Sequence, residues 1–299
     1  LNAASGQFNL GKGDLYYFDY IVVRVHLPDI NQLLNFPDLY RYSYATTYRS
    51  MLDDLAQIRG LLANNPRKEG VIPIGIADFA PKFGQDGWNT QAPALAASGL
   101  MTADLASQAM RVSLDDGKQA IKYACYGELN RPSYSSLMIN PDFEAADIET
   151  WGQSPSYLAF ELATELQGGI PLMMTELEGP RISVSKEGKL QGIGNVPLVS
   201  MFATGDPAEG VAWILIVNRD MERPVRCEIS LDMAGLAAPE LSLRQLEFKS
   251  LLSTNLAGES VKAPLPTPGS KRTVVADDFA VTVDRAGVAL VILEAMEVD

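Results

Sequence analysis

The chain has 299 residues, of which 47% are hydrophobic, and this length and composition allow one large or two medium globular domains. Its formal net charge of −13 argues against nucleic acid or an anionic membrane as a partner, whereas a neutral carbohydrate is compatible with it. The single histidine, His26, excludes a multi-histidine metal site, and we expect neither a metal nor a cofactor. No stretch reaches the roughly 18 to 20 apolar residues that span a bilayer.

The two cysteines and the first residues of the chain bear on its origin. Cys125 and Cys227 lie far apart in apolar segments, which predicts buried free thiols rather than a disulfide. The sequence begins Leu-Asn-Ala-Ala-Ser-Gly, with neither an initiating Met nor the features of a signal peptide. We therefore expect the chain to start inside a longer protein, and the localisation stays open.

Strand and helix patterns alternate in the first half of the chain. Strands are predicted at 16–26, 71–77 and 119–126. Helices are predicted at 47–64, 91–113 and 155–167. An aromatic-rich loop is predicted before the first helix, and its tyrosines either line a sugar cleft or pack beneath the loop. This α/β alternation predicts parallel strands joined by helical crossovers.

From residue 170 onward the chain consists of short strand candidates separated by Gly, Pro, Asp and Asn. These candidates lie at 170–176, 181–185, 197–203, 211–217, 225–231, 242–248, 272–275, 279–283 and 287–293. Many short strands at regular spacing predict an antiparallel β-sandwich, which we expect to pack against the helix at 155–167. The predicted fold is thus α/β followed by all-β, with residues 1–169 forming part of a (β/α)8 barrel and residues 170–299 forming the β-sandwich.

Asp78 is the predicted catalytic residue. It follows an apolar run directly and precedes a loop and a helix, which is how a β/α barrel presents a catalytic group at a strand's C-terminal end. The alternative is an Asp that ends a strand by capping its own turn.

Four residues are predicted to bind substrate beside it. His26 ends the first strand, Trp88 lies in the following loop, Tyr126 ends the third strand, and Glu128 comes directly after. His26 would hydrogen-bond sugar hydroxyls or orient the acid, Trp88 would stack on a sugar ring, and Glu128 would supply a second carboxylate. The competing interpretations are a satisfied core histidine, a loop-anchoring aromatic residue and a solvated loop acid.

The order of these patterns resembles the C-terminal half of the family 51 α-L-arabinofuranosidases, which are retaining glycoside hydrolases of clan A. Residues 18–26 are similar to that family's sixth barrel strand, and residues 76–80 resemble the seventh, which carries the nucleophile Glu. The segments 196–199, 214–219, 254–256 and 279–283 follow the order of its β-sandwich. The resemblance implies barrel strands six to eight, retaining hydrolysis of α-L-arabinofuranosides or related plant-type glycans, and Asp78 at the nucleophile position.

The chain also departs from that family. Asp78 stands where the family has Glu, which sets the carboxylate about 1.5 Å further back. The motif His-x-Tyr has become His26-Leu27-Pro28, and Ala77 and Ala80 replace polar neighbours of the nucleophile. The family's acid/base Glu follows an Asn on the fourth strand, whereas this chain is expected to begin near the sixth.

Three interpretations therefore stay open. The first is a hydrolase whose acid/base lies upstream, the second is a non-catalytic relative that binds carbohydrate or nothing, and the third is an unrelated α/β protein. The first predicts that strands 19–26, 71–77 and 119–126 are adjacent and parallel, with Glu128 further than about 5.5 Å from Asp78. Unpaired edges on such a sheet also predict poor solubility or pairing with another chain, for example in a homo-oligomer.

Overall fold

The computed structural model describes residues 21–25, 36–63, 73–79, 95–111, 121–127, 137–140, 151–172, 178–187, 191–230, 240–246, 248, 250–251, 272–273 and 278–295. They form a mixed α/β structure with a sheet-rich C-terminal part. The helices within these ranges are α1 (Phe36–Ala63), α2 (Ala96–Arg111) and α3 (Pro155–Thr164). None of these helices is both long enough and apolar enough to cross a membrane.

Strands precede, separate and follow the helices. Those of the first half are β1 (Ile21–Val25), β2 (Ile74–Phe79), β3 (Ile121–Tyr126), β4 (Met138–Ile139) and β5 (Gly152–Gln153). Those of the second half are β6 (Ile170–Pro171), β7 (Arg181–Val184), β8 (Ile193–Pro197), β9 (Val199–Asp206), β10 (Val211–Asn218), β11 (Val225–Ser230), β12 (Glu240–Leu246), β13 (Arg272–Thr273), β14 (Asp278–Val283) and β15 (Val288–Glu294).

The first three strands form one parallel sheet in the order β1-β2-β3. Ile74, Ile76 and Phe79 of the middle strand are buried in a core that they share with α1 and α2. Apolar side chains drive this packing, because a crossover helix can cover its sheet only with an apolar face. The prediction of adjacent, parallel strands is confirmed.

Helix α1 corrects the predicted aromatic loop, because it begins at Phe36 rather than at residue 47. The rings of Tyr40 and Tyr44, one turn apart, lie 5.1 Å from each other and both are buried, as is Tyr42. Aromatic residues are mediocre helix formers, but burial of such large rings outweighs that preference. These three tyrosines therefore pack in the core on a helix and not beneath a loop.

In the described part of the chain, the strands from residue 170 onward form three sheets, one of which is the β7–β8 pair. Strands β13-β12-β15-β10-β9-β6 make a six-stranded sheet, and β11 pairs with β14 in a separate two-stranded sheet. On β10, Leu215 and Val217 join the core that contains the helices, whereas Ile214 and Ile216 join a second core with residues of β11 and β14. The six-stranded sheet is thus covered on both faces, and the predicted strand at 211–217 is confirmed.

Helix α3 packs tightly against α2. Ser154 caps its first turn by accepting the Tyr157 N–H at 3.0 Å, and Pro155 occupies its first position, where no N–H is needed. A Cβ on Gly99 of α2 would lie 2.6 Å from the Pro155 carbonyl oxygen. The two helices approach closely because position 99 has no side chain.

We expect Gly99→Ala to lower the free energy of unfolding by about 1–3 kcal/mol, because backbone must move to admit the methyl group. Gly60→Ala is the matched control, since Gly60 is also helical and nothing lies within 4 Å of its would-be Cβ. The control should gain about 0.5–1 kcal/mol. Urea unfolding of both variants checks this, and equal stabilities would contradict the close approach.

Both cysteines are free, as predicted, but their burial differs from the prediction. Cys125 is exposed on β3, and Cys227 is half-buried on β11. Burial raises the pKa of the Cys227 thiol to about 11.

Alkylation by iodoacetamide should therefore distinguish the two thiols. With a pKa of about 11, only about one Cys227 in 1,000 is a thiolate at pH 8, and this fraction grows about tenfold per pH unit up to the pKa. In a Cys125→Ser variant we expect slow labelling that accelerates about 100-fold between pH 8 and 10. A flat pH profile would contradict the expectation, and a Cys227→Ser variant reports Cys125 alone.

Candidate functional site

Asp78 is the penultimate residue of β2, the middle strand of the parallel sheet. It pairs with Arg24 across a register shift, because Val23 pairs with Ile76 and the next pair joins Arg24 to Asp78. The ladder between β2 and β3 is irregular over the same stretch, between Ile76 and Phe79. Such irregularities re-aim side chains and are frequent beside active sites. The sequence prediction of an acid at a strand's C-terminal end is confirmed for the backbone.

The other predicted site residues divide into two groups. His26, Trp88 and Glu128 lie outside the described residues, so their roles and the Asp78–Glu128 separation stay predictions. Tyr126 is described, and it is half-buried at the end of β3. Its substrate-binding role is also still a prediction.

Tyr126 links the sheet to two helices. Its hydroxyl shares a 3.2 Å hydrogen bond with the Thr102 hydroxyl of α2. Its ring centroid lies 5.4 Å from that of Phe79, edge to face, and 5.4 Å from that of Phe160 on α3. Aromatic pairs at these distances contribute about 0.5–1.5 kcal/mol beyond area burial. These contacts hold the ring and the hydroxyl of Tyr126 in place at the strand ends.

The residue after Asp78 is held on both its backbone and its ring. Phe79 is only 2% exposed, and its carbonyl accepts the Gly127 N–H at 2.9 Å. The C-terminal ends of β2 and β3 are thereby joined just past the acid. Asp78 thus sits on a backbone fixed by its neighbours, which a catalytic group requires.

A buried ion pair fixes α2, the helix that follows the acid, to the C-terminal part. Arg219 Nε donates to Asp104 Oδ2 at 3.0 Å, and its Nη2 donates to the other carboxylate oxygen. Its Nη1 donates to the Pro197 carbonyl at 2.7 Å. The Ser200 hydroxyl donates to Asp104 Oδ1 at 3.0 Å. Arg219 and Asp104 are 1% and 2% exposed, so this ion pair is shielded from bulk solvent.

Two aromatic rings lie close to the Arg219 guanidinium. Its central carbon lies 5.8 Å from the Tyr44 ring centroid and 5.9 Å from that of Tyr48, both on α1. Burial disfavours its charge, but the charge and hydrogen bonds of Asp104 outweigh this and raise the pKa of Arg219. Burial also raises the pKa of Tyr40 and Tyr44, so both phenols stay neutral. We call Arg219, Asp104, Tyr44 and Tyr48 together the Arg219 hub. It joins α1, α2 and the turn after β10.

The turn after β10 sets the position of the hub. The Asn218 amide nitrogen donates to the carbonyls of Arg223 and Asp284, at 3.0 and 2.9 Å, and its oxygen accepts the Asp220 N–H at 3.0 Å. Sequence analysis named Asn218 and Arg219 only within the segment 214–219 that resembles the family's β-sandwich, directly after the predicted strand 211–217, and missed the hub. The available signal was a lone Asp within the apolar pattern of α2.

No cluster of three or more His, Cys, Asp or Glu side chains in the described ranges could hold a metal ion. The described residues place the backbone of Asp78 near the end of a strand that its neighbours hold on both sides. A carboxylate so placed can act as a nucleophile, as a base or as an electrostatic stabiliser of a cation-like centre.

Solved structures provide the comparison with known proteins. The chain is similar to the family 51 α-L-arabinofuranosidase of Thermotoga petrophila RKU-1, with 17% identity over 85% of this chain and 50% of that one, at a TM-score of 0.64. This chain shares its fold with about half of a family 51 glycoside hydrolase. The family 51 arabinofuranosidases of Xanthomonas axonopodis pv. citri and Bifidobacterium longum each match at 13% identity over 92% of this chain and 53% of theirs, with TM-scores of 0.65 and 0.64.

These comparisons set the level at which the likeness holds. No protein-family model and no curated protein matches the sequence. At such low identities the solved structures show a glycoside-hydrolase-like fold. The chain spans about half the length of the structures that it matches.

Proposed function

We propose that this chain forms part of a retaining glycoside hydrolase that acts on α-L-arabinofuranosides or related plant-type glycans. In this proposal residues 1–169 provide strands six to eight of a (β/α)8 barrel, and residues 170–299 form its β-sandwich. The parallel sheet, the crossover helices and the fold shared with family 51 enzymes support this assignment.

The position of Asp78 is the observation that carries the proposal. It lies at the C-terminal end of the middle parallel strand, beside a register shift and against an anchored Phe79. Glycoside hydrolases need a carboxylate that stabilises or attacks an oxocarbenium-like centre. A barrel presents such a group at this end of a strand.

In the proposed mechanism the Asp78 carboxylate attacks the anomeric carbon while a carboxylic acid protonates the departing oxygen. Water then releases the sugar from Asp78, and the former acid acts as the base. Retention requires the two carboxyl groups about 5–5.5 Å apart. We expect the partner carboxyl on a barrel strand upstream of this chain, with His26, Trp88 and Tyr126 around the sugar.

The test is turnover of 4-nitrophenyl α-L-arabinofuranoside by the chain joined to its upstream coding sequence, followed by proton NMR of the first product formed. We expect release of nitrophenol and an α-configured sugar. A β-configured first product would exclude retention, and absence of turnover by a cooperatively folded protein would overturn the proposed activity.

A non-catalytic carbohydrate-binding relative is the second candidate. The observation in its favour is the shortened side chain at position 78 together with Ala77 and Ala80 where polar neighbours are expected. Calorimetric binding of arabino-oligosaccharides without any turnover would favour it over hydrolysis.

A further inference from the structure

The β11–β14 sheet carries a depression with a mixed lining, in which Ile229, Phe279 and Ala280 lie beside the polar side chains of Arg226, Glu228, Ser230 and Asp278. Side chains alternate along β11, so Val225, Cys227 and Ile229 turn toward the second core, and Arg226, Glu228 and Ser230 are exposed. Ser230 of β11 is paired with Asp278 of β14, and Glu228 of β11 is paired with Ala280 of β14. The small Ala280 therefore lies among longer polar side chains, and a cavity of about 560 Å³ lies over it.

The size of this cavity suits a small ligand, since sites for such molecules commonly span about 300–1,000 Å³. The exposed Arg226–Glu228 ion pair, at 3.5 Å, does not close it. Surface pairs of this kind contribute about 0–1 kcal/mol, so both side chains can reorient toward a ligand.

The lining selects the chemistry of that ligand. Glu228 and Asp278 accept hydrogen bonds, the Arg226 guanidinium donates them, and the Ser230 hydroxyl does both. An anion would meet two carboxylates on a protein of net charge −13. A neutral molecule whose hydroxyls donate and accept at once satisfies all four side chains.

We infer that this depression is a second carbohydrate site, a surface subsite for a neutral glycan. It lies on the opposite side of the six-stranded sheet from the helices, because β11 and β14 contact the second core and the helices contact the first. It is therefore remote from Asp78. The inference does not depend on hydrolysis, so an inactive protein would leave it intact.

The probes are arabinotriose, free L-arabinose and trigalacturonate, titrated into the ¹⁵N-labelled 299-residue chain and followed by NMR. We expect arabinotriose to bind in the millimolar range and to shift the amides of residues 226–230 and 278–280. Free arabinose should shift the same amides more weakly if a glycan chain is the ligand. Trigalacturonate, the charged counterpart, should bind more weakly than arabinotriose.

Two variants test the lining. Ala280→Leu fills the depression without removing a polar group, and Glu228→Ala removes an acceptor. Each variant should weaken the binding of arabinotriose by about tenfold, or about 1.4 kcal/mol. Arg223→Ala is the control, because this side chain is 76% exposed and outside the lining. Absence of shifts at these amides, unchanged affinity in Ala280→Leu, or tighter binding of trigalacturonate would each overturn the inference.

Discussion

Replacing Asp78 with Asn is expected to lower kcat for an aryl α-L-arabinofuranoside by about 10⁴-fold or more, because the amide cannot form the covalent intermediate. Asp78→Glu should act in the opposite direction. It advances the carboxylate by about 1.5 Å, and a misplacement of about 1 Å can cost about 100-fold in rate. The gain in kcat for Asp78→Glu should therefore approach about 100-fold.

The control for both changes is Glu209→Gln, since Glu209 is an exposed acid in the turn between β9 and β10. Melting temperatures establish that all three variants fold. An Asp78→Asn variant with the activity of Glu209→Gln would remove Asp78 from the mechanism. A Glu variant no faster than the wild-type chain would show that the shorter acid is already well placed.

The second large effect concerns stability. We expect Arg219→Met to lower the free energy of unfolding by about 3–5 kcal/mol, because it leaves the Asp104 carboxylate buried without its partner. Domains are typically stable by only about 5–15 kcal/mol, so this loss is severe. Urea unfolding measures it.

Two further variants test whether the unpaired Asp104 carboxylate causes this loss of stability. The double variant Arg219→Met/Asp104→Leu should recover part of the loss, because an apolar pair replaces a buried ion pair at little cost. Recovery should be incomplete, because the Ser200 hydroxyl and the Pro197 carbonyl lose their partners.

Arg244→Met is the matched control, since Arg244 forms a more exposed ion pair with Glu165 at 2.7 Å. Such surface pairs contribute about 0–1 kcal/mol. If Arg219→Met cost no more than Arg244→Met, the hub would have no special role in holding α2.

Sequence periodicity predicted most of the strands because burial imposes it. Strand β10 is an example, as its nearly continuous apolar run is typical of a strand covered on both faces, and both faces are covered. The start of α1 was predicted wrongly for a related reason. Tyr40 and Tyr44 owe their helical state to a core built by distant residues, which local propensity does not report.

The site shows the same division between local and distant information. The placement of Asp78 at a strand end could be predicted, because an apolar run that stops at an acid is a local signal. The Arg219–Asp104 pair joins residues 115 positions apart, and no local pattern reports such a contact. The register shift opposite Ala77 is equally invisible, because it depends on how two strands align.

The doubly covered six-stranded sheet has a consequence for how such a protein can evolve. A cut between residues 169 and 170, the predicted boundary, would bare Leu215 and Val217 on one piece and the apolar side of α2 and α3 on the other. Each piece would then expose a large apolar patch to water. The two halves must therefore be inherited together, and recombination that exchanged the C-terminal strands alone would have to bring a matching helical layer with them.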